Sequence, residues 1–492
     1  MTNPADLGAV EARGLIARRQ LSPVELAEAC IARVEALDHA VNAVVARDFD
    51  RLMDDARAAE AKVSAGAALG LLHGLPVAIK DMNDVAGLPT TYGSELFRDN
   101  VPEEDDALVA AVRAAGGLVL GKTNVPEWSA GANTRNRVHG VTANPYDLAR
   151  SAAGSSGGSA VALATRMAPL ATGSDLGGSL RNPAAFCGVT GFRPSHGLVP
   201  GVLREMPLLP MSTDGPMARS PEDAALLLEV LARPDRRDPW TRPFPGHAGR
   251  FARLPAADLS HLRFAVTEDF GFAPTEGLVR AAFRDRVERL AHHLGRLEER
   301  APDCAGADRI FAVLRGVAFL GAHRERLERF PDSVGPNVRA NVEEGLAYGA
   351  RDVAEALVLH GNYHRAWDAF FADVDILLAP MVTIGPRDWR ELYPREIDGV
   401  ATQSYYHWLA LAYAATIAGH PSVSIPCGRD GNGMPFGLQI VGRRDDDAAV
   451  LAVAREIGAL IGSDDAMRLP PPDLDALAKA PPLCEAEGFR EL

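Results

Sequence analysis

The sequence predicts one large α/β domain with a helical N-terminal segment. Three observations carry that reading. Apolar runs such as "LPVAIKD", "GLVLGK" and "GVTGF" crowd residues 71–215, and short apolar runs bounded by glycine read as buried strands. Further on, strand and helix patterns alternate, as in "LRFAVTE" (262–268), a helical stretch over 275–294 and "GRLEE", a β-α-β order. Length and composition agree: 492 residues, 47% hydrophobic and 24% charged, can bury a sizeable core.

Along the chain, "SPVELAEACIARVEAL" (22–37) opens with Ser22 as N-cap, Pro23 at N1 and Glu25 at N3, the signature of a capping box. A second helix, "DRLMDDARAAEAKVSAG", stops at Gly66. Residues 1–66 therefore form a helical segment packed on the body. The α/β domain runs over 67–470, with its helical region at about 275–372. The Pro- and Arg-rich stretch 231–255 reads as an irregular surface connection. "DILLAP" (375–380), "GHPSVSIPCG" (419–428) and "GLQIVG" (437–442) are further buried strands, the last followed by the helix "DDDAAVLAVAREIGALIG". The Pro-rich tail 471–492 is expected to be loosely held.

With 51 Lys plus Arg against 65 Asp plus Glu, the chain carries a formal charge of −14. Nucleic acid and anionic membranes reward basic patches, so neither is expected as a partner. Five scattered cysteines without C-x-x-C spacing argue against a disulfide framework or a zinc site and for buried reduced thiols. No basic n-region with an apolar run opens the chain and no run of 18 apolar residues occurs. The expected location is the cytoplasm.

One motif points elsewhere. "GGLVLGKT" (116–123) fits the phosphate-loop pattern G-x-x-x-x-G-K-[ST]. A phosphate loop needs strand, loop, then helix, so that bare N–H groups face the phosphates. Here "EDDALVAAVRAA" (104–115) is helical, the glycines stop it, and Leu118-Val119-Leu120 is strand-like. The order is reversed, and Pro126 spoils the following stretch as a helix start. A nucleotide site is not expected. "GSSGG" (154–158) likewise fits G-x-S-x-G, but "NPYDLARSAA" before it is not strand-like and no downstream histidine stands out as a partner. His360 and His364, at i and i+4 in "HGNYH", lack the glutamate of a zinc-protease helix and read as helix surface; His73 and His196 read as structural.

Three stretches read together suggest chemistry. Lys80 ends the apolar run "LPVAIKD", where lysine is unusual. Burial would lower its pKa from about 10.4 toward roughly 7–8, leaving an amine that accepts a proton. "GSSGGSA", with Ser155, offers a hydroxyl to pass that proton. In "GSDLGGSLRNPAAFCGVTGFRP", Ser179 follows two glycines whose N–H groups can aim at an oxyanion.

These stretches resemble the amidase signature family, serine hydrolases with a Ser–cis-Ser–Lys triad. The resemblance runs from "GSSGGS" through "GGSLRNPA" (154–184), keeps the spacing of 75 positions from Lys80 to Ser155 and 24 from Ser155 to Ser179, and extends over nearly the whole chain. It implies an α/β/α domain whose mixed central sheet is covered by helices on both faces. It also implies Ser179 as nucleophile, Ser155 after a cis peptide bond as proton bridge, and Lys80 as general base. The N–H groups of Leu176, Gly177, Gly178 and Ser179 would form the oxyanion hole, with Ser156 and Asp175 in support. No metal or cofactor is implied.

A glutaminase subunit of a transamidating complex shares this triad, but such subunits typically run into "RQPAAFCG"; Asn182 stands at the glutamine position here, which favours a free-standing amidase. Specificity should come from loops 125–140, 202–211 and 395–408. Trp128, Met206, Tyr405 and Trp408 are candidates for an apolar, aryl-accepting pocket, and Arg181 or Asn182 for reading a polar group, with Arg181 equally open to a structural role. The expected substrate is a small amide, with anilides, esters and carbamates open to the same machinery. Oligomeric state stays open, with a homodimer as one option.

Overall fold

The computed structural model describes residues 3–202, 204–241 and 249–491. Leu203, within the expected loop 202–211, and residues 242–248, within the expected irregular connection, lie outside the described residues, as do 1–2 and 492. The flanking parts of that connection, 232–241 and 249–255, hold no helix or strand.

Eleven strands build one sheet. In chain order they are β1 (Val44–Ala46), β2 (Pro76–Lys80), β3 (Leu118–Thr123), β4 (Leu170–Asp175), β5 (Thr190–Arg193), β6 (Thr213–Ala218), β7 (Arg263–Val266), β8 (Arg296–Glu299), β9 (Ile376–Pro380), β10 (Ser422–Arg429) and β11 (Pro435–Gly442). Their spatial order is β1-β3-β2-β4-β6-β5-β10-β11-β9-β7-β8. Pairing is mixed: β2 runs parallel to β3 and β4, and β7 to β8 and β9, whereas the strands between β4 and β9 pair antiparallel. Every residue of β2, β3, β9 and β11 is buried, which is why they read as unbroken apolar runs and not as alternating ones.

The helices follow the sequence closely where caps are explicit. Helix Pro23–Val41 starts on the expected capping box: Ser22 Oγ accepts from Val24 N, and Ser22 N donates to Glu25 Oε2 at 2.9 Å. Helix Phe49–Ser64 is followed by Gly66 at φ 68°. The long helical region resolves into Ala307–Arg329, Pro336–Ala347 and Ala350–Phe370. No helix among the described residues is long and apolar enough to cross a membrane.

Several expectations are corrected. The N-terminal segment is not only helical, because Val44–Ala46 adds an edge strand to the sheet; three residues are too few for a periodicity to show. "NPYDLARSAA" contains a strand, Asp147–Ser151, paired with Ala143–Asn144 in a hairpin outside the central sheet. His360 is buried, its Nε2 bonded to the Ile417 carbonyl at 2.7 Å, so that face of the helix packs inward. Four cysteines are buried free thiols, whereas Cys484 is exposed. The tail is also anchored. Phe489 and Leu483 pack with Val141, Ala143 and Trp389, and Val141 N donates to the Phe489 carbonyl. Proline content reports the lack of regular structure, not the lack of contacts. Phe489→Ala should therefore destabilise the fold by about 3 kcal/mol, read as a lowered thermal midpoint.

The phosphate-loop match resolves as the sequence context requires. Residues Leu118–Thr123 are strand β3, and Lys122 is buried against Asp81 (3.0 Å), the Asn83 carbonyl (2.7 Å) and Thr90 Oγ1 (2.6 Å). Its ammonium is spent inside the core.

Candidate active site

The site forms where β2 and β4 end side by side. Both strands run the same way, so their C-terminal ends deliver Lys80 and the pair Ser174-Asp175 to one rim of the sheet. After β4 the chain folds back over the Asp175 carboxylate. That carboxylate accepts from Gly178 N (2.8 Å), Leu180 N (3.3 Å), Arg181 Nε and Nη2 (2.9 and 3.0 Å) and Arg193 Nη1 (3.4 Å). Burial alone would raise the Asp175 pKa, yet Arg181 and Arg193 outweigh it and hold the group at about 2. The loop is thus tied at its centre to a permanent anion. Gly178 sits at φ 104°, and a Cβ there would meet Asn182 Nδ2 at 2.4 Å and Ala412 Cβ at 2.5 Å, so only glycine fits.

Ser155 approaches from the other side. The Gly154–Ser155 peptide bond is cis, and helix Gly157–Ala164 follows at once. Ser156 joins the two arms: its N–H donates to the Ser179 carbonyl (3.2 Å) and its Oγ accepts from Ser174 N (3.4 Å). Lys80 Nζ lies 2.7 Å from Ser155 Oγ and 2.8 Å from Ser174 Oγ, with no exposure to solvent. A neutral amine can donate to one hydroxyl and accept from the other. Desolvation pushes the Lys80 pKa down to about 7; Asp214 and then Asp175 pull in the opposite direction without prevailing. Asp214 stands opposite Ser174 in the β4–β6 register, and burial raises its own carboxyl to about 6.

Above this rim lies a cavity of about 380 Å³ whose floor includes Ser155, Ser174, Leu176, Gly177 and Ser179. Its walls combine a cluster of rings with methionine, leucine and arginine side chains. Trp128 stacks on Tyr92 with centroids 4.9 Å apart, and Phe97 meets both rings edge-on. Helix Ala307–Arg329 adds Phe319 and His323, and the His323 ring lies 5.2 Å from that of Trp128.

Of the residues expected around substrate, Trp128 and Met206 line the cavity. Four others do not. Arg181 is fully buried and bonds Asp175, Gln439, Thr416 and the Ala412 carbonyl. Asn182 donates to the Gly177 carbonyl at 3.3 Å. Both hold the loop from behind. Tyr405 stands behind the wall, accepting from Arg315 and Asn341. Trp408 is buried near Phe186 (6.2 Å). The loop 395–408 therefore supplies no wall. The N–H of Gly178 is likewise committed to Asp175, which leaves Leu176, Gly177 and Ser179 as the available oxyanion donors of the four.

Two features escaped the sequence reading. Ser174, one residue before the aspartate, is the second hydroxyl on Lys80. The other is the wall helix, whose Arg315, Ala318, Phe319, Ala322, His323 and Arg326 all line the cavity. Their spacing of three and four is one helical face, a stripe that reads equally well as ordinary packing until its neighbour is known.

A lysine–serine pair at the foot of an aromatic cavity, at the rim of a mixed α/β sheet, is the arrangement of an amide hydrolase of the amidase signature kind. Comparison with known proteins gives the family: the sequence profile named Amidase matches residues 25–451, and the chain belongs to that family. An acylamidase of Rhodococcus erythropolis is 32% identical over 92% of this chain and 95% of its own length. The crystal structure of a bacterial aryl acylamidase of the amidase signature family superposes with a TM-score of 0.86 at 25% identity, covering 96% of this chain and 99% of that one. A glutamyl-tRNA(Gln) amidotransferase subunit from Salinispora tropica is also 32% identical, over 94% of this chain and 99% of its own. The chain is an amidase-type hydrolase acting on small amides.

The charge environment of Lys80 yields one prediction. Asp214→Asn removes an anion that favours the ammonium form, so the alkaline-rising limb of the rate profile should move to lower pH. An unmoved or alkaline-shifted limb would count against Asp214 as a neighbour that tunes Lys80.

Proposed function

We propose that Ser179 is the nucleophile, Ser155 the proton bridge and Lys80 the general base, and that the enzyme favours aryl or apolar amides. The observation that carries the assignment is the contact of 2.7 Å between Ser155 Oγ and the wholly buried amine of Lys80. An amine with a pKa of about 7 is a competent base at neutral pH, which an ordinary lysine is not. As Ser179 Oγ attacks the amide carbonyl, its proton passes to Ser155 and that of Ser155 to Lys80. The tetrahedral anion is held by the N–H groups of Leu176, Gly177 and Ser179, donors of a kind that each contribute roughly 10²–10³ in rate. Ser155 then delivers a proton to the departing amine, and water cleaves the acyl-enzyme through the same relay.

The aromatic walls support an aryl or apolar group beside the scissile bond. The names of the acylamidase relatives point the same way. Esters and carbamates present the same carbonyl and fall within reach of the machinery. The buried free thiols fit a reducing, cytoplasmic setting.

Ser179→Ala should lower anilide hydrolysis by roughly 10⁴ or more while the melting curve stays close to wild type; wild-type turnover in that variant would end the assignment. For the wild type, Lys80 is an ammonium below its pKa and cannot accept a proton, and an amine above it. The single-turnover rate should therefore rise with pH through about 7 and level off, and Lys80→Met should lack that limb.

A further inference from the structure

Inside the cavity a buried cation stands apart from the Lys80–Ser155 pair. Arg315, 4% exposed, projects from helix Ala307–Arg329 and lines the same cavity as Ser179. Its guanidinium is packed among rings, 4.7 Å from the centroid of Phe319, 5.3 Å from Tyr405, 5.6 Å from Tyr406 and 5.7 Å from Phe311. Its hydrogen bonds go to neutral groups: Nε donates to Asn341 Oδ1 at 2.9 Å and Nη2 to the Tyr405 hydroxyl. Of five N–H donors, two are used in this way, which leaves three, both of those on Nη1 included, without an acceptor among the described residues.

The other cations of the cavity are compensated. Arg326 pairs with Glu205 at 2.8 Å, and Arg204 lies 3.9 Å from both Asp214 and Asp238. Among the described residues no carboxylate comes within 4 Å of Arg315; Glu344 accepts instead from the Tyr406 and Tyr348 hydroxyls. A buried cation is costly unless paired, and ring faces return only part of that cost. With both Nη1 hydrogens and one on Nη2 unused, the guanidinium keeps enough donors to hold a carboxylate by two bonds. The position also suits a group on the substrate: Phe311, under the guanidinium, lies where a Cβ on Gly177 of the oxyanion loop would meet its ring at 2.9 Å.

We propose that the cavity takes amides bearing a carboxylate a few bonds from the scissile carbonyl, and that Arg315 receives that carboxylate. This rests on the assignment of Ser179 and narrows the aryl or apolar amides proposed above to those that also carry a carboxylate. The carboxylate is not altered in the reaction; it fixes the register of the carbonyl over the oxyanion donors.

Two matched pairs with a common readout test it, with kcat/KM compared within each pair. One places the charge on the acyl side, succinanilic acid against butyranilide. The other places it on the amine side, N-butyryl-4-aminobenzoic acid against butyranilide. Wild-type enzyme should favour the acid at least tenfold in one pair, and glutarate should inhibit competitively at constant ionic strength. In Arg315→Gln the ratio of acid to neutral substrate should fall toward unity and glutarate inhibition should vanish. Arg315→Lys, which keeps the charge without the fork, should retain part of both effects and serves if the glutamine variant does not fold. Equal rates on acid and neutral partners in both pairs, or a preference that survives loss of the guanidinium, overturns the proposal. Neither result bears on Ser179, whose role is read from butyranilide alone in Ser179→Ala.

Discussion

The structure depends on keeping one amine out of water. Lys80 ends a strand buried along its whole length, and its side chain has only hydroxyls within hydrogen-bond reach. Holding a lysine there at a pKa near 7 instead of 10.5 costs on the order of 5 kcal/mol of ammonium solvation. That cost is tolerable only in a large, rigid core, and the eleven-stranded sheet supplies one. The amine lies in that core with no exposure to solvent, and at a pKa of about 7 a large fraction of it is neutral at neutral pH.

A second buried ionic group complements the first by being permanently charged. Asp175 is locked as a carboxylate by Arg181 and Arg193, and the loop that carries Ser179 is wound around it. The two groups sit at the ends of neighbouring strands and take opposite routes through burial. The lysine has no close counter-ion and its pKa falls to about 7, whereas the aspartate has two and keeps its charge. In the proposed mechanism the first provides reactivity; the second gives the loop a fixed shape, and Ser156 ties the arms together through the Ser179 carbonyl and Ser174 N. The cavity walls are added from outside this frame, by a helix over a hundred residues downstream and by the loop carrying Trp128.

How much of this was legible in the sequence differs by kind of residue. Lys80 could be found because a lysine closing an apolar strand breaks a strong pattern. The capping box at Ser22 and the strand character of "GLVLGK" were legible for the same reason: local rules sufficed. For Arg181 the sequence leaves a binding and a structural role equally open, and only the fold decides for the second, with Asp175, Gln439 and Thr416 closing around it. Tyr405 and Trp408 were misplaced because aromatic composition does not separate a wall from what lies behind it. Gly178 was counted as an oxyanion donor because a sequence cannot show that its N–H is already engaged. Arg315 was passed over in a helix rich in arginine, where the one lacking a carboxylate is visible only once the partners of the others are known.

If Lys80 is the base, its amine must lose its proton near neutral pH, and the chain is well suited to observing this. It contains four lysines, Lys62, Lys80, Lys122 and Lys479. In protein labelled with 13C at the lysine ε-carbon, four signals can be followed by NMR from pH 5 to 10, and the Lys80 signal is the one missing from Lys80→Met. This signal should titrate near pH 7. A Lys80 signal that keeps its ammonium shift to pH 9 and beyond would contradict the proposed relay, which would then have no base.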